Sequence, residues 1–129
     1  MAILEASETQ ANLRVAFATE ILASRRYQAF AEQAETDGNP EAAALFRSIS
    51  DCRCANADAH LQALEPPGTR STAYHLRAAI MDEDADRYPA MARKAREEGF
   101  GDIALGLETL AKAGRVRADR LRRELASMM

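Results

Sequence analysis

Four charged residues sit where helical spacing calls for apolar ones: Glu20, Arg53, Glu83 and Arg117. A charge on a buried helix face is expensive and is almost always paired. One such residue falls on each of four helical segments, which predicts a polar centre inside a four-helix bundle. In bundles of that kind, carboxylates and histidines projecting from facing helices hold two metal ions. Metal chemistry there needs carboxylate and imidazole donors. A guanidinium has no lone pair to give and stays charged at any relevant pH. Two arginines among the four therefore predict a carboxylate–arginine ion-pair cluster where metals could otherwise sit. Asp86 is a further acid on the same stripe. With Glu20, Glu83 and Asp86 ionised against Arg53 and Arg117, the cluster carries a formal charge near −1 and can stand without metal.

The elements that must position these residues follow from periodicity and caps. A first helix is predicted from about Ser7 to Asp37, opened by a Ser7/Gln10 capping box. Its stripe is Leu13, Phe17, Glu20/Ile21, Ser24, Tyr27/Gln28, Ala31 and Ala34. Gly38 stops it, and Asn39-Pro40 is an N-cap followed by proline at the first helical position. The second helix runs to about Leu64 with the stripe Leu45/Phe46, Ile49, Cys52/Arg53, Asn56, His60 and Leu64. Glu65-Pro66-Pro67-Gly68 ends it. Ser71 or Thr72 caps a third helix with the stripe Leu76, Ala79/Ile80, Glu83, Asp86/Arg87 and Ala90/Met91; Pro89 inside it predicts a kink. Gly99-Phe100-Gly101-Asp102 turns the chain into a fourth helix carrying Ile103, Leu107, Leu110, Gly114, Arg117 and Leu121. One domain over residues 1–129 is expected, as a hairpin (7–64), a linker (65–71) and a second hairpin (72–127).

The halves repeat at an offset of 61. Arg26-Tyr27-Gln28-Ala29-Phe30-Ala31 matches Arg87-Tyr88-Pro89-Ala90-Met91-Ala92, and Asp37-Gly38 matches Glu98-Gly99. Phe46 and Ile49 match Leu107 and Leu110, Arg53 matches Gly114, and Asn56 matches Arg117. Two related hairpins burying their stripes against each other are the expected all-α fold.

Composition narrows the function classes. At 129 residues the chain fits one domain. Abundant alanine and the absence of Trp predict closely packed helices. A net charge of −3, with arginines interspersed among acids, argues against nucleic acid as a partner. No apolar run approaches the ~20 residues of a membrane span. Met1-Ala2-Ile3-Leu4-Glu5 lacks the basic and apolar regions of a signal peptide, so a cytoplasmic location is expected. Cys52 and Cys54, two apart on a helix, point to different sides and read as small, half-buried residues rather than a disulfide. A metal set of Cys52, Cys54, Asn56 and His60 does not converge on one helix face.

Several of these stretches resemble the rubrerythrin family of the ferritin-like superfamily. They are Asn12-Leu13 through Ala16-Phe17 and Glu20; Arg26-Tyr27 with Phe30-Ala31; Leu45-Phe46-Arg47 with Ile49; His75-Leu76 with Ala79-Ile80 and Glu83; Tyr88-Pro89; and Glu97-Glu98-Gly99-Phe100. The resemblance covers about residues 10 to 121 and includes no rubredoxin-like module. It implies a ferritin-like four-helix bundle and a site for two non-haem irons that reduce peroxide or activate oxygen. The family's ligands are a glutamate on helix one, Glu-x-x-His on helix two, two glutamates on helix three and Glu-x-x-His on helix four. Glu20 takes the first slot and Glu83 the first on helix three, with Asp86 for the second; the chain from Asp86 to Tyr88 runs about three residues short of the family pattern, and with the gap placed upstream Glu83 takes the second slot and Ile80 the first. Arg53 and Asn56 stand in the helix-two motif, Gly114 and Arg117 in the helix-four motif. Both Glu-x-x-His motifs are gone.

The resemblance and the residues together predict a non-catalytic bundle with no cofactor, serving as a binding, regulatory or scaffold domain for an unknown protein or small molecule. Glu20, Glu83 and Asp86 are the residual metal candidates. Tyr27 and Tyr88 are expected to hydrogen-bond into the cluster, with His60 one turn beyond Asn56 as a core or rim residue. His75 is expected at the surface or in a cap. The alternatives are a di-iron oxidoreductase or peroxidase with displaced ligands, and a bundle that holds a small anion between its arginines.

The linker bears on assembly. In the ferritin-like arrangement the connection between helices two and three runs the length of the bundle. A helix of 25 residues is ~37 Å long. Residues 65–71 reach at most ~25 Å extended, and Pro66-Pro67 stiffens them. A homodimer that exchanges hairpins is therefore expected, with an up-down-up-down monomer as the alternative.

Overall fold

The computed structural model describes residues 2–129 and is helical nearly throughout: α1 (Glu8–Thr36), α2 (Pro40–Leu64), α3 (Thr72–Asp84), α4 (Tyr88–Glu97) and α5 (Gly101–Ser127). Two compact units divide it, Met1–Pro67 and Gly68–Met129. In the first, α1 packs on α2; in the second, α3 and α4 in turn pack on α5.

Local chemistry sets the helix ends. Ser7 Oγ accepts the Gln10 amide at 3.0 Å, while the Gln10 side chain accepts the Ala6 amide at 2.9 Å. The predicted box therefore closes one residue upstream of its usual partner, and Ala6 takes a positive φ of 62° to allow it. Asn39 accepts the Ala42 amide at 3.1 Å and starts α2. Ser71, rather than Thr72, caps α3 through the Tyr74 amide.

Both hairpin turns are built alike. Gly38 and Gly99 take the left-handed φ values of 76° and 88° that glycine adopts without strain. After each, the next amide reaches back to the last helical turn: Asn39 donates to the Ala34 carbonyl and Phe100 to the Ala95 carbonyl, both at 2.8 Å. These are Schellman closures, and they stand 61 residues apart, the offset read from the sequence.

The same offset governs packing. The buried residues of α2 are Ala43, Ser50 and Ala57; those of α5 include Ala104, Ala111 and Ala118. Opposite them lie Ala31 and Ala34 on α1, and Ala92 and Ala95 on α4. Each long helix thus offers a small residue every seventh position, which keeps one side of the helix on its neighbour. Small residues, rather than the larger apolar ones of the predicted stripes, make this seam within each hairpin. Leu45 is 60% exposed and Leu110 is 44% exposed, although both lie on stripes read as core. At 100° per residue Leu110 lies about 100° round α5 from its seam residues and Leu45 about 140° round α2 from its own, so the neighbouring helix of the hairpin covers neither. Cys52 and Cys54 are exposed rather than half-buried.

The predicted third helix is two helices. The chain leaves the helix after Asp84 and resumes at Tyr88, so the break precedes Pro89 instead of bending at it. Pro89 falls in the first turn of α4, where a missing N–H costs nothing. Asp86 accepts the Tyr88 amide at 2.8 Å across the gap.

Candidate functional site

Each hairpin brings one acid of its first helix against two positions, three residues apart, on its last helix. In the first, Arg53 Nη1 donates to Glu20 Oε1 at 3.0 Å, and Asn56 Nδ2 lies 3.5 Å from Glu20 Oε2. In the second, Arg117 Nε and Nη2 donate to the two oxygens of Glu83 at 2.8 and 3.1 Å. This fork-on-carboxylate geometry is the strong form of the ion pair. The carboxylates are the covered ends: Glu20 and Glu83 side chains are 14% and 24% exposed, against 39% and 49% for Arg53 and Arg117. The Arg117 hydrogen bonds hold the Glu83 carboxyl below its ordinary value of 4.5; partial loss of water opposes them and the guanidinium charge adds to them. Arg117 is raised in turn, first by its hydrogen bonds to Glu83.

Gly114 explains how the second pair fits. It is buried on α5, one turn before Arg117. A Cβ built on it would lie 3.3 Å from Glu83 Oε2, 3.5 Å from Arg117 Nη2 and 3.7 Å from Asp86 Oδ2. The volume that a side chain at 114 would take is filled by the ion pair. Asp86 is at the α3–α4 break, with one oxygen capping Tyr88 and the other turned toward Gly114. It is a cap beside the pair rather than a residue of the third helix.

The supporting residues divide. Tyr27 stacks on Phe46 at 6.0 Å between ring centres and meets Phe30 edge-on at 5.7 Å, so its ring belongs to an aromatic group on the first hairpin. Tyr88 opens α4 and stands near Arg117. His60 is half-buried on α2, and His75 is exposed in the first turn of α3. Sequence reasoning missed the Arg47–Glu35 and Arg122–Asp84 ion pairs and two further contacts. Ser24 and Ser50 exchange hydrogen bonds between side chains and backbone across the first seam, at 2.9 to 3.1 Å. Arg96 forks onto Glu108 at 2.7 and 2.9 Å. A serine opposite a serine at alanine-like positions was the available signal for the Ser24–Ser50 contact.

A di-iron centre of the family's kind can be tested against these donors. On α2 the ligand positions hold a guanidinium and an amide, both turned onto Glu20. On α5 they hold no side chain and a guanidinium that uses both oxygens of Glu83. Among the described residues, no group of three or more His, Cys, Asp or Glu gathers as a metal set. These residues do not fit the group. Also among the described residues, no helix is long and apolar enough to cross a membrane.

A rubrerythrin family model matches residues 11–65, which take in most of α1 and all of α2. A rubrerythrin of Porphyromonas gingivalis (strain ATCC BAA-308 / W83) is 36% identical over 137 residues, covering 95% of this chain and 67% of that protein. A rubrerythrin of Nitratidesulfovibrio vulgaris (strain Hildenborough) is 32% identical over 127 residues, covering 88% of this chain and 66% of that protein. The chain thus spans about two thirds of the length of the relatives it matches. With that identity over nearly its whole length, an all-helical structure and a repeat of two hairpins, the chain belongs to the rubrerythrin family, in the ferritin-like fold.

Proposed function

We propose that this chain is a non-catalytic member of its family, in which carboxylate–arginine pairs replace the two irons and the bundle serves as a binding, regulatory or scaffold domain. One observation carries the reading: Arg117 engages both oxygens of Glu83, and Gly114 leaves the room for it to do so. A metal entering there would have to displace a charge-assisted fork and lie beside a cation. The di-iron reading draws on the relatives, which are named rubrerythrins, and it is the outcome that would overturn the proposal. Anaerobic loading with ferrous iron, desalting and metal analysis decide between them. Well below one iron per chain is expected; close to two tightly held irons would refute the proposal. The variant Arg53→Glu, Asn56→His, Gly114→Glu, Arg117→His supplies the family's donors and should gain iron.

The chain acts as a hairpin-exchanged homodimer. The seven-residue linker supports this, as do large apolar side chains that the hairpins leave open, among them Phe30 and Leu45 on the first and Met91 and Leu110 on the second, each 39–60% exposed. The hairpins also differ in charge. Residues 1–67 carry ten acids against five arginines, and residues 68–129 carry ten acids against twelve cations. Net charges of −5 and +2 favour unlike hairpins of two chains meeting over like ones. Light scattering at low concentration should give twice the 14.1 kDa chain mass. A stable species at the chain mass would refute the dimer. Inserting about fifteen flexible residues at 65–71 should shift the protein toward monomer by letting one chain close on itself.

A further inference from the structure

A second feature of the Gly68–Met129 unit is independent of iron content. Lys112 to Arg123 on α5 holds six cations and one acid, a local cluster within a chain of net charge −3. Two of the six are engaged: Arg117 by Glu83 and Arg122 by Asp84. At 100° per residue, Lys112 and Arg115 project from the opposite side of α5 to Leu110 and Arg117. There they border a groove of about 310 Å³ between α4 and α5. Its floor is Ala92 and Ala111, 2% and 4% exposed, with Pro89 at one end; Arg93 stands on the α4 side. The single acid on its wall, Glu108, is held by both arms of the Arg96 guanidinium and further lowered by Lys112. The rim therefore keeps a positive excess over an apolar floor of methyl groups.

We propose that this α4–α5 groove docks an acidic segment of a partner protein, with carboxylates on Arg93, Lys112 and Arg115 and a small aliphatic side chain on Ala92 and Ala111. Charge selects the occupant: the three rim cations are exposed, and a complementary carboxylate row steers and registers a partner on such a patch. The groove lies along two antiparallel helices and is open to solvent, whereas small-molecule sites enclose most of their ligand. That favours a segment laid along it over a free metabolite.

The test uses the full chain and a fluorescein-labelled peptide of three Glu-Glu-Leu-Ala repeats, read by anisotropy over a range of salt. Binding should weaken steadily with salt, and the Lys-Lys-Leu-Ala counterpart should not bind. The triple variant Arg93→Ser, Lys112→Ser, Arg115→Ser should lose about tenfold or more in affinity, about 1.4 kcal/mol. Its residues are exposed, and circular dichroism should show an unchanged helix content. Removing three cations elsewhere in the same unit, with Lys94→Ser, Arg120→Ser and Arg123→Ser, should leave affinity within about twofold. Equal losses in the two variants would overturn the proposal by showing that net charge alone binds the peptide. Tighter binding of phosphatidylserine vesicles or of a single-stranded oligonucleotide than of the peptide would overturn it in favour of a membrane or nucleic acid. Growth beyond the dimer at low salt, lost in the first variant, would overturn it in favour of a second copy of the chain.

Discussion

In the first hairpin Glu20 takes one short hydrogen bond from Arg53 and a long one from Asn56; in the second Glu83 takes two short ones from Arg117 alone. At the 61-residue offset Arg53 corresponds to Gly114 and Asn56 to Arg117, so the arginine of the second hairpin stands three residues further along its helix. Position 114 holds glycine and is occupied by the pair itself. The seams show the reverse relation. Ala31, Ala43 and Ala57 have their counterparts in Ala92, Ala104 and Ala118, all buried. The counterparts of Ser24 and Ser50 are Ala85, at the end of α3, and Ala111. Where the first hairpin exchanges serine hydrogen bonds along a continuous helix, the second has a helix break capped by Asp86. Close packing tolerates little change in volume, so the seam residues keep their size. The polar positions need only remain paired, and they have been paired by different means.

The seam gives the sharpest way to break this comparison. Ala57 is fully buried and Ala118 is 3% exposed. Leucine at either position forces α2 or α5 away from its neighbour, and overpacking of this kind costs typically ~1–3 kcal/mol. Ala57→Leu and Ala118→Leu should each fall near the top of that range in urea unfolding, and to a similar extent. A cost at 118 well below that at 57 would mean the second hairpin is looser, and the equivalence of the seams would fail.

Helix ends and repeat were legible because they depend on local chemistry. Ser7, Asn39 and Ser71 cap where their side chains can reach an amide, and Gly38 and Gly99 close two equivalent turns. The seam was not legible in the stripes. Hydrophobic periodicity ranks Leu45 and Leu110 above Ala43 and Ala111, whereas two helices in close contact select the smallest residues. The break before Pro89 was masked for a related reason. Proline signals a perturbed helix, but Asp86 capping the Tyr88 amide settles which side of it the helix stops. At the site, Glu20, Arg53, Glu83 and Arg117 read as one buried cluster, whereas the structure shows one pair in each hairpin with its arginine half-exposed. The role of Gly114 was not legible, because a glycine in sequence does not reveal which atoms fill the space beside it.

Gly114 supplies a smaller effect of defined sign. Glycine inside a helix costs roughly 0.5–1 kcal/mol relative to alanine. At Gly106, also within α5, a Cβ meets nothing within 4 Å, so Gly106→Ala should stabilise by about that amount. At Gly114 the new Cβ must push on a carboxylate fixed by two hydrogen bonds, and Gly114→Ala should bring no gain or a small loss. In an Arg117→Ala background Glu83 is free to move, and the same substitution should become stabilising. A double-mutant cycle reads this coupling directly. Additive effects would show that the pair does not depend on the glycine, and would remove the main contrast between the two hairpins.

The smallest effect concerns protons. Glu83 is held below 4.5 chiefly by the Arg117 hydrogen bonds. A folded-state pKa below the unfolded one contributes stability that is fully present above the unfolded value and is lost as pH falls through the folded value. The contribution of this pair should therefore persist at neutral pH and disappear in a window beginning below 4.5. Glu35 and Glu108 are lowered in the same sense by hydrogen bonds from Arg47 and Arg96, so both hairpins share a background of acid sensitivity. Arg117→Gln isolates the one of interest. By NMR, the Glu83 carboxyl should titrate below 4.5 in the native chain and move back toward 4.5 in the variant. Plotted against pH, the stabilities of the two proteins should differ at neutral pH and converge under acid. Solvent reaches half of the Arg117 side chain, so the difference should also shrink with added salt. Parallel curves down to acid pH, with an unmoved Glu83 titration, would mean that Arg117 packs beside the carboxylate without governing its charge.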